Sequence, residues 1–278
     1  MSRLIYEMHC HTPLCRHADG TPPRYAEAAE RRGLAGIVFT CHNPMPDSYG
    51  HSGRMREAEV DEYVRIVGDT RRRFEGQVDV RLGLECDYFP GYEDYISETL
   101  ARMELHHVLG SVHPFLAIWR RRFQIEDDPL QTQRNYFDQL AASAESGMFD
   151  TISHPDLVKN MTANNWDFER LIPDVEKCLD RIAATGCAME LNTSGLLKTI
   201  PEFNPNQTML QMMCQRDIPV VVGADAHVPE RVSADFERAY DAMQSAGYTH
   251  VSYFLDRTRH ELDINEARAS LIPADSTV

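Results

Sequence analysis

The amino-acid sequence predicts an α/β fold in the form of a distorted parallel (β/α)7 barrel, and two patterns support that prediction. Short apolar segments alternate along the chain with longer amphipathic segments, as they do when helices connect parallel strands. In addition, six of the apolar segments are followed within two residues by a histidine or an acidic residue. These six predicted strands are residues 4–8, 36–41, 78–84, 108–112, 149–153 and 218–223.

Amphipathic segments of helical periodicity fill the intervals between these strands. Several of them stop at a glycine, which is a common helix end, and Pro173 indicates a break or a first-turn position within one of them. Helices are predicted at residues 25–32, 57–75, 92–103, 130–146, 168–185, 206–216 and 229–246. Two further strands, at 187–192 and 250–255, carry no histidine cluster. The chain therefore holds seven β/α units and a short terminal strand.

Length and composition favour a single domain over residues 1–278. The 278 residues are close to the roughly 250 of a typical α/β barrel, and a hydrophobic content of 42% is sufficient for its core. No internal repeat, low-complexity tract or composition break marks a second unit. Residues 273–278 are expected to form a frayed tail, because they have nothing to pack against.

Charge and cysteine content narrow the expected partners and compartment. The net charge of -15 argues against a nucleic-acid partner, which requires a basic surface. No apolar run approaches the roughly 18 residues of a membrane span, and the strand-like first ten residues leave no room for a cleaved signal. Seven cysteines without a framework spacing fit reduced thiols. We expect a cytoplasmic protein that binds no membrane, with homo-oligomerisation left open.

The side chains at the strand ends are expected to meet at one site. The C-terminal ends of parallel strands lie on one face of a barrel. Residues two apart on a strand share a face, as His9 and His11 do, and as Asp225 and His227 do. Any single histidine could instead be a hydrogen-bonded core residue, but the recurrence favours a metal site. The predicted ligands are His9, His11, His17, His42, Glu85, His113, His154, Asp225 and His227.

Imidazole and carboxylate ligands suit zinc, iron or manganese. Cys10, Cys41 and Cys86 stand next to predicted ligands, but one residue off, so their thiols are expected to face the other way. The sequence also has no C-x-x-C pair. A structural zinc site built on thiolates is therefore disfavoured.

Seven motifs in order along the chain resemble the polymerase and histidinol phosphatase (PHP) superfamily, and more narrowly its stand-alone histidinol-phosphatase branch. They are H-C-H-T-P-L-C-R-H-A (9–18), T-C-H-N-P-M-P (40–46), G-L-E-C-D-Y (83–88), G-S-V-H (110–113), S-H-P-D-L-V-K (153–159), E-L-N-T-S-G-L (190–196) and G-A-D-A-H (223–227). The resemblance implies a PHP-type distorted (β/α)7 barrel that holds two or three divalent ions.

The resemblance also implies how the ligands divide into three sub-sites. His9, His11, Glu85 and Asp225 would hold the first ion. Glu85 would bridge to a second ion held with His113 and His154, and His17, His42 and His227 would hold the third. Bridging is chemically reasonable because a carboxylate offsets the repulsion between two cations about 3.5–4 Å apart.

A metal-dependent phosphomonoesterase is the expected function, with L-histidinol phosphate in histidine biosynthesis as substrate. A metal-bound hydroxide would attack phosphorus in line, and the sequence has no nucleophile elbow or P-loop for a rival chemistry. Glu85, Asp225 and His227 are the predicted catalytic residues. Another small phosphate ester as substrate, a metal-binding module without turnover, and a nuclease are the alternatives.

The substrate contacts are predicted from position alone. Cationic residues near the strand ends would hold the phosphate, unless they are solvated surface residues: Arg16, Arg54, Lys159 and Lys198. Asp156, Tyr88 and Phe115 follow strands that bear ligands and could contact the rest of the substrate, and His51 could line its entrance. The stretch at 119–122 has no assigned role.

Three departures from the family pattern affect these expectations. After G-S-V-H the chain continues with P-F-L (114–116), and the stretch at 119–122 is unlike the family pattern, so a different loop over the site and a different substrate are left open. Relatives often carry aspartate where this chain has Cys41, which places the affinity for the third ion in question. Relatives often have arginine where this chain has Leu197, followed here by Lys198. The phosphate clamp is therefore expected to be a lysine rather than a bidentate arginine.

Overall fold

The computed structural model describes residues 3–46 and 52–273. His51 and the tail beyond Pro273 lie outside the described residues. The nine strands that it contains are β1 (Tyr6–Cys10), β2 (Gly36–Phe39), β3 (Asp79–Asp87), β4 (His107–Ser111), β5 (Thr151–Ile152), β6 (Ala188–Asn192), β7 (Val220–Gly223), β8 (His250–Leu255) and β9 (Thr258–Asp263).

Ten α-helices connect or flank these strands in the described part of the chain. They are α1 (Pro22–Arg31), α2 (Val60–Arg73), α3 (Glu93–Ala101), α4 (Ala117–Phe123), α5 (Pro129–Glu145), α6 (Val158–Met161), α7 (Phe168–Thr185), α8 (Gln207–Cys214), α9 (Phe236–Ala246) and α10 (Ile264–Ser270). None of the described helices is both long and apolar enough to cross a membrane.

The strands form one curved sheet in chain order, parallel from β1 to β8. Two backbone hydrogen bonds join the first strand of the sheet to the segment after β7. His11 N donates to Ala226 O at 2.9 Å, and Ala226 N donates to His9 O at 3.1 Å. Residue 226 follows β7, so the end of β1 lies beside the end of β7. The predicted parallel barrel of α/β type is confirmed.

The last strand differs from the prediction. Strand β8 meets β7 only at the pair Val221 and Ser252, and it pairs along its length with the antiparallel β9. Asp256 and Arg257 connect the two strands with φ values of 51° and 60°, the backbone of a tight hairpin turn. No turn is predicted there from the sequence, since neither residue is glycine or asparagine, and β9 is largely exposed.

Helix boundaries follow the prediction, with four differences. Helix α1 begins at Pro22 rather than after the proline pair, because proline suits the first turn, where its missing N–H has no partner to lose. Helix α9 begins at Phe236 rather than at residue 229, where a short 3-10 turn precedes it. Pro173 does not interrupt α7. The short helices α4, α6 and α10 were not predicted.

A bulge in β1 places its functional residues. Glu7 pairs with Ile37, and Cys10 pairs with Phe39, so three steps along β1 oppose two along β2. Met8 consequently joins a small apolar cluster inside the barrel, formed with Val38, Ala188, Val221 and Phe254. This cluster fills the barrel interior beneath the strand ends where the predicted ligands lie.

Candidate metal centre

The nine predicted ligands converge at the C-terminal ends of strands β1 to β5 and β7. The Nε2 atoms of His9 and His11 are 3.2 Å apart, so the two side chains share a face as predicted. Seven of the nine line a cleft of about 340 Å³, whose wall also includes Arg54, Phe115, Leu116, Leu157 and Lys198. The seven are His17, His42, Glu85, His113, His154, Asp225 and His227.

Glu85 occupies the centre of this cluster, and its two oxygens face different groups of histidines. The carboxylate is 1% exposed. Its Oε2 atom faces three imidazoles: His42 Nδ1 at 2.8 Å, His9 Nε2 at 3.4 Å and His11 Nε2 at 3.6 Å. Its Oε1 atom faces two others: His154 Nε2 at 3.0 Å and His113 Nε2 at 3.4 Å. This division is what a carboxylate bridging two cations requires.

Asp225 lies beside His9 and His11, the two histidines at the end of β1. Its Oδ1 atom is 3.0 Å from His11 Nε2 and 3.6 Å from His9 Nε2. Glu7 supports this end of the site, since its carboxylate accepts the backbone N–H groups of Ala224 at 2.9 Å and His9 at 3.1 Å. The carboxylates of Glu85 and Asp225 thus lie on either side of two imidazoles.

Two of the predicted ligands have left-handed backbone conformations, with φ of 27° at His154 and 49° at Asp225. Such a conformation costs a non-glycine residue about 1–3 kcal/mol and persists where the surrounding structure enforces it. Strain of this kind concentrates at functional sites. Here it turns both side chains into the same cleft.

His17, His42 and His227 form a third group. The ring centroid of His17 is 5.3 Å from that of His42 and 4.6 Å from that of His227. Backbone carbonyls orient two of these rings, because the Nδ1 atom of His17 lies 2.7 Å from Cys15 O and that of His227 lies 2.9 Å from Asp225 O. With Nδ1 held as the donor, the Nε2 atom of each ring carries a free electron pair.

The polar atoms of the cluster are incompletely satisfied, in a way that fits bound cations. Four buried atoms have no hydrogen-bond partner: His11 Nδ1, His42 Nδ1, Glu85 Oε2 and His227 Nε2. His42 Nδ1 and Glu85 Oε2 make no hydrogen bond with each other, although they are only 2.8 Å apart. An unpartnered buried polar atom costs about 1–3 kcal/mol. Divalent ions among these nitrogens and oxygens would satisfy several of them at once.

The electrostatics of the cluster point the same way. Burial opposes ionisation of Glu85, but His42 and His9 hold its pKa well below the usual range. Burial opposes charge on His11 as well, yet hydrogen bonding to Asp225 raises its pKa to about 9. Burial and the neighbouring His11 lower the pKa of His227 to about 3. The ionised carboxylates of this buried cluster would be stabilised by bound cations.

Two buried carboxylates that the sequence analysis did not assign orient the predicted ligands. Glu190 Oε1 lies 2.6 Å from His9 Nδ1, and its Oε2 accepts the backbone N–H of His154 at 2.8 Å. Asp87 Oδ1 lies 2.5 Å from His113 Nδ1. A carboxylate on one ring nitrogen fixes the tautomer and leaves the other nitrogen for a metal. Asp87 could have been found by parity, since it is two residues beyond Glu85 on β3.

Two of the four predicted phosphate contacts line the cleft. Arg54 is 5% exposed and forms a bidentate ion pair with Asp87, with Nη2 also 3.1 Å from His113 Nδ1. Lys198 is more accessible, and its Nζ lies 3.9 Å from Asp225 Oδ2. Lys198 is therefore the better placed of the two to receive an anion.

The other two predicted phosphate contacts require correction. Lys159 is fully buried, and its ammonium donates to Asp156 at 3.0 Å, to Glu202 at 3.1 Å and to the backbone oxygen of Phe203 at 2.7 Å. All three of its donors are used within the protein. Arg16 pairs with Glu59 and is not among the residues that line the cleft.

Of the three residues expected to contact the rest of the substrate, only Phe115 faces the cleft. Asp156 is buried and accepts hydrogen bonds from the side chain of Asn204 and, at 2.9 Å, the backbone of Asn206. Tyr88 packs edge-on against Phe149. A position after a ligand-bearing strand therefore predicted a place in the cleft correctly for Phe115, but not for Asp156 or Tyr88.

The cysteines follow the parity prediction in part. Cys10 and Cys86 are buried in the main core, away from the cleft. Cys41 is buried too, but its sulfur, that of Cys15 and a nitrogen of His11 lie within 4.8 Å of one another. The position of Cys15 in the sequence does not predict that it is a neighbour of the site. The thiol of Cys41 accepts the hydroxyl of Thr12 at 3.2 Å.

Comparisons with known proteins agree with this geometry. The sequence profile described as PHP domain matches residues 7–194. A protein of Deinococcus radiodurans named "Probable histidinol-phosphatase" is 36% identical over 258 residues, which cover 90% of this chain and 96% of that protein. A Bacillus subtilis protein named "Histidinol-phosphatase" is 28% identical over 269 residues, covering 84% of this chain and 96% of that protein.

A solved structure shares the fold. The histidinol phosphate phosphatase of Lactococcus lactis, determined in complex with zinc, L-histidinol and phosphate, aligns with a TM-score of 0.78. The alignment covers 92% of this chain and 98% of that chain, at 17% sequence identity. At that identity the likeness concerns the fold alone.

Proposed function

The chain belongs to the PHP domain family, and we propose that it is a metal-dependent phosphomonoesterase that hydrolyses L-histidinol phosphate to L-histidinol and phosphate. The observation that carries this proposal is the division of the two Glu85 oxygens between two groups of histidines. The names of the two relatives support a phosphatase activity and, more specifically, this substrate. A place in histidine biosynthesis follows if the substrate is correct.

The proposed cofactor is a cluster of two or three divalent ions, of zinc, iron or manganese. Such ions, when bound, lower the pKa of a water towards neutrality and neutralise phosphate oxygens. Glu85 would bridge the first two ions, with His9, His11 and Asp225 on one side and His113 and His154 on the other. His17, His42 and His227 would hold the third. The relative crystallised with zinc supports zinc as one candidate.

His42 lies close to Glu85, and this position affects how the ligands divide among the three proposed ions. His42 Nδ1 is 2.8 Å from Glu85 Oε2, and the ring is tilted against that of His11, with centroids 4.6 Å apart. His42 therefore lies close to Glu85 of the first proposed sub-site and to His17 of the third. Burial and the nearby Arg54 cation hold the pKa of His42 well below its usual range, although Glu85 opposes this shift.

The protein's own groups bind the remainder of the phosphate. Lys198 brings a cation to the cleft beside Asp225, on the loop that follows β6. Arg54 also lines the cleft and adds positive potential there, while its guanidinium stays engaged with Asp87. Glu85, Asp225 and His227 line the same cleft and are the residues we assign to the reaction centre. The cleft of about 340 Å³ suits a small ester rather than a polymer.

A steady-state screen of phosphate esters with metal-reconstituted protein tests the proposal. The panel contains L-histidinol phosphate, a sugar phosphate, a nucleoside monophosphate and a phosphodiester. L-Histidinol phosphate is expected to have a kcat/KM at least about tenfold above every other ester, a margin of roughly 1.4 kcal/mol in transition-state binding. A clear preference for another ester would replace the substrate, and no turnover of any ester would remove the activity.

A further inference from the structure

We infer that Phe115 is the specificity-determining residue that receives the imidazole ring of the substrate, an inference that rests on the proposed function. Phe115 is 48% exposed, and among residues 3–46 and 52–273 it is the one exposed side chain of the phenylalanine, tyrosine and tryptophan residues. Leaving about half of this side chain in water forgoes part of the free energy that its full burial would supply. A ligand that covers this ring recovers that free energy.

The location of Phe115 distinguishes it from the other exposed apolar residues. Those residues are Val64, Ile125, Leu197, Val228 and Ile272, none of which lines the cleft of the candidate metal centre. Phe115 does line it. An exposed ring on the surface of a site for a small molecule is accounted for by that molecule, whereas isolated surface residues need no explanation.

Local structure fixes the ring relative to the reaction centre. The backbone N–H of Leu116 donates to the oxygen of His113 at 3.3 Å, which closes a turn with Pro114 and Phe115 at its corner. The turn starts at a predicted ligand, so Phe115 is held two residues from the metal cluster. Pro114 limits the turn's freedom because its φ is fixed.

Two further apolar side chains, Leu116 and Leu157, line the cleft with Phe115, and the charged groups Arg54, Lys198 and Asp225 line it as well. A substrate with a phosphate at one end and a flat ring at the other matches a cleft that offers both kinds of side chain. Imidazole is planar and aromatic, so it can stack on the phenyl face or approach it edge-on.

A pair of phosphate esters isolates the contribution of the ring. 2-Aminopropyl phosphate has the phosphate and amine of histidinol phosphate, with hydrogen in place of imidazole. Kinetic constants are measured for both esters with the metal-loaded parent and with Phe115→Ala, Phe115→Leu and Phe115→Trp. Product-inhibition constants for L-histidinol and 2-amino-1-propanol give a second readout that does not depend on the chemical step. Ile125→Ala is the control. Ile125 also lies between β4 and β5 and is 45% exposed, but it does not line the cleft.

Phe115→Ala is expected to lower kcat/KM for histidinol phosphate about tenfold and to weaken L-histidinol binding similarly, with little change for the esters and alcohols that lack the ring. Phe115→Trp should stay near the parent, and Phe115→Leu should fall between, because it keeps apolar area but loses the flat face. Equal losses on both esters, or no loss on either, would overturn the inference while leaving the proposed function in place. A parent enzyme that does not hydrolyse histidinol phosphate would overturn both.

Discussion

Glu190 Oε1 lies 2.6 Å from Nδ1 of His9, while Nε2 of the same ring faces Glu85 and Asp225. The ring is therefore held between a carboxylate that orients it and the carboxylates of the proposed metal centre. Burial disfavours a charged His9, but Glu190 and Asp225 raise its pKa well above the usual value. Glu190 thus decides which nitrogen of His9 is available for a metal.

Replacing Glu190 by glutamine is expected to lower metal affinity by about 10–100-fold, because the neutral amide no longer enforces the tautomer of His9. Competition with a chromogenic chelator measures this affinity without reference to activity. Glu202→Gln is a suitable control, since Glu202 is partly exposed and contacts Lys159 rather than a predicted ligand. Unchanged affinity in Glu190→Gln would show that packing alone orients the ring.

Lys198→Ala is expected to raise KM for phosphate esters, because it removes one charged hydrogen bond worth on the order of 1.5–3 kcal/mol. Metal content should stay at the parent value, since an ammonium cannot ligate these ions. Leu197→Arg should be neutral or should lower KM, because a guanidinium presents a bidentate fork to phosphate. Kinetics of Lys198→Ala that match the parent would transfer the phosphate contact to Arg54.

Lys159→Met is expected to destabilise the protein rather than to act on substrate binding. The change leaves the buried carboxylate of Asp156 without its cation, which typically costs about 3–5 kcal/mol. Urea denaturation of the variant and of Lys198→Ala measures the difference, and the partly exposed Lys198 should contribute little to stability. A fully stable Lys159→Met protein with a raised KM would restore the phosphate role that the structure contradicts.

His107 is expected to make the protein less stable in acid. Burial holds its pKa at about 3, against an ordinary value of 6.5. The folded state therefore stays unprotonated at His107 while the unfolded state takes up a proton, so the free energy of unfolding falls as the pH drops from 6.5 towards 3. The ring packs against Phe254 and lies 2.9 Å from the hydroxyl of Thr151.

His107→Gln should flatten this part of the pH dependence, although its stability near pH 7 will be lower because the ring contacts are lost. Urea midpoints at several pH values between 4 and 7 measure the effect, at most about 1.4 kcal/mol for each pH unit. The exposed His250, changed to glutamine, serves as control. Parallel curves for the parent and His107→Gln would exclude this residue as the source.

The features that could be predicted from the sequence are those that depend on residues close together in the chain. Histidines and carboxylates at strand ends could be assigned to one face because parallel strands share a direction. The bulge in β1 could not be predicted, since it arises from pairing with β2, yet it is what lets Met8 enter the interior cluster while His9 and His11 remain in the site.

Contacts between distant segments account for the other differences. Lys159 looked like a surface cation, and its burial depends on Glu202 and Phe203, more than 40 residues away in the chain. Glu190 could not be distinguished from a structural strand residue until His9 of β1 was placed beside it. The hairpin of β8 and β9 was missed because its turn has neither glycine nor asparagine.

The metal-to-chain ratio of active protein, measured together with its activity on L-histidinol phosphate, tests the account most directly. Apoprotein prepared with a strong chelator is titrated with zinc, iron or manganese, and bound metal is counted by elemental analysis. Activity should be absent at first, rise with bound metal and saturate at two or three ions per chain. Glu85→Gln should fall below the parent in both quantities, because it weakens the bridge between two ions. Full activity with one ion per chain or none would contradict the account.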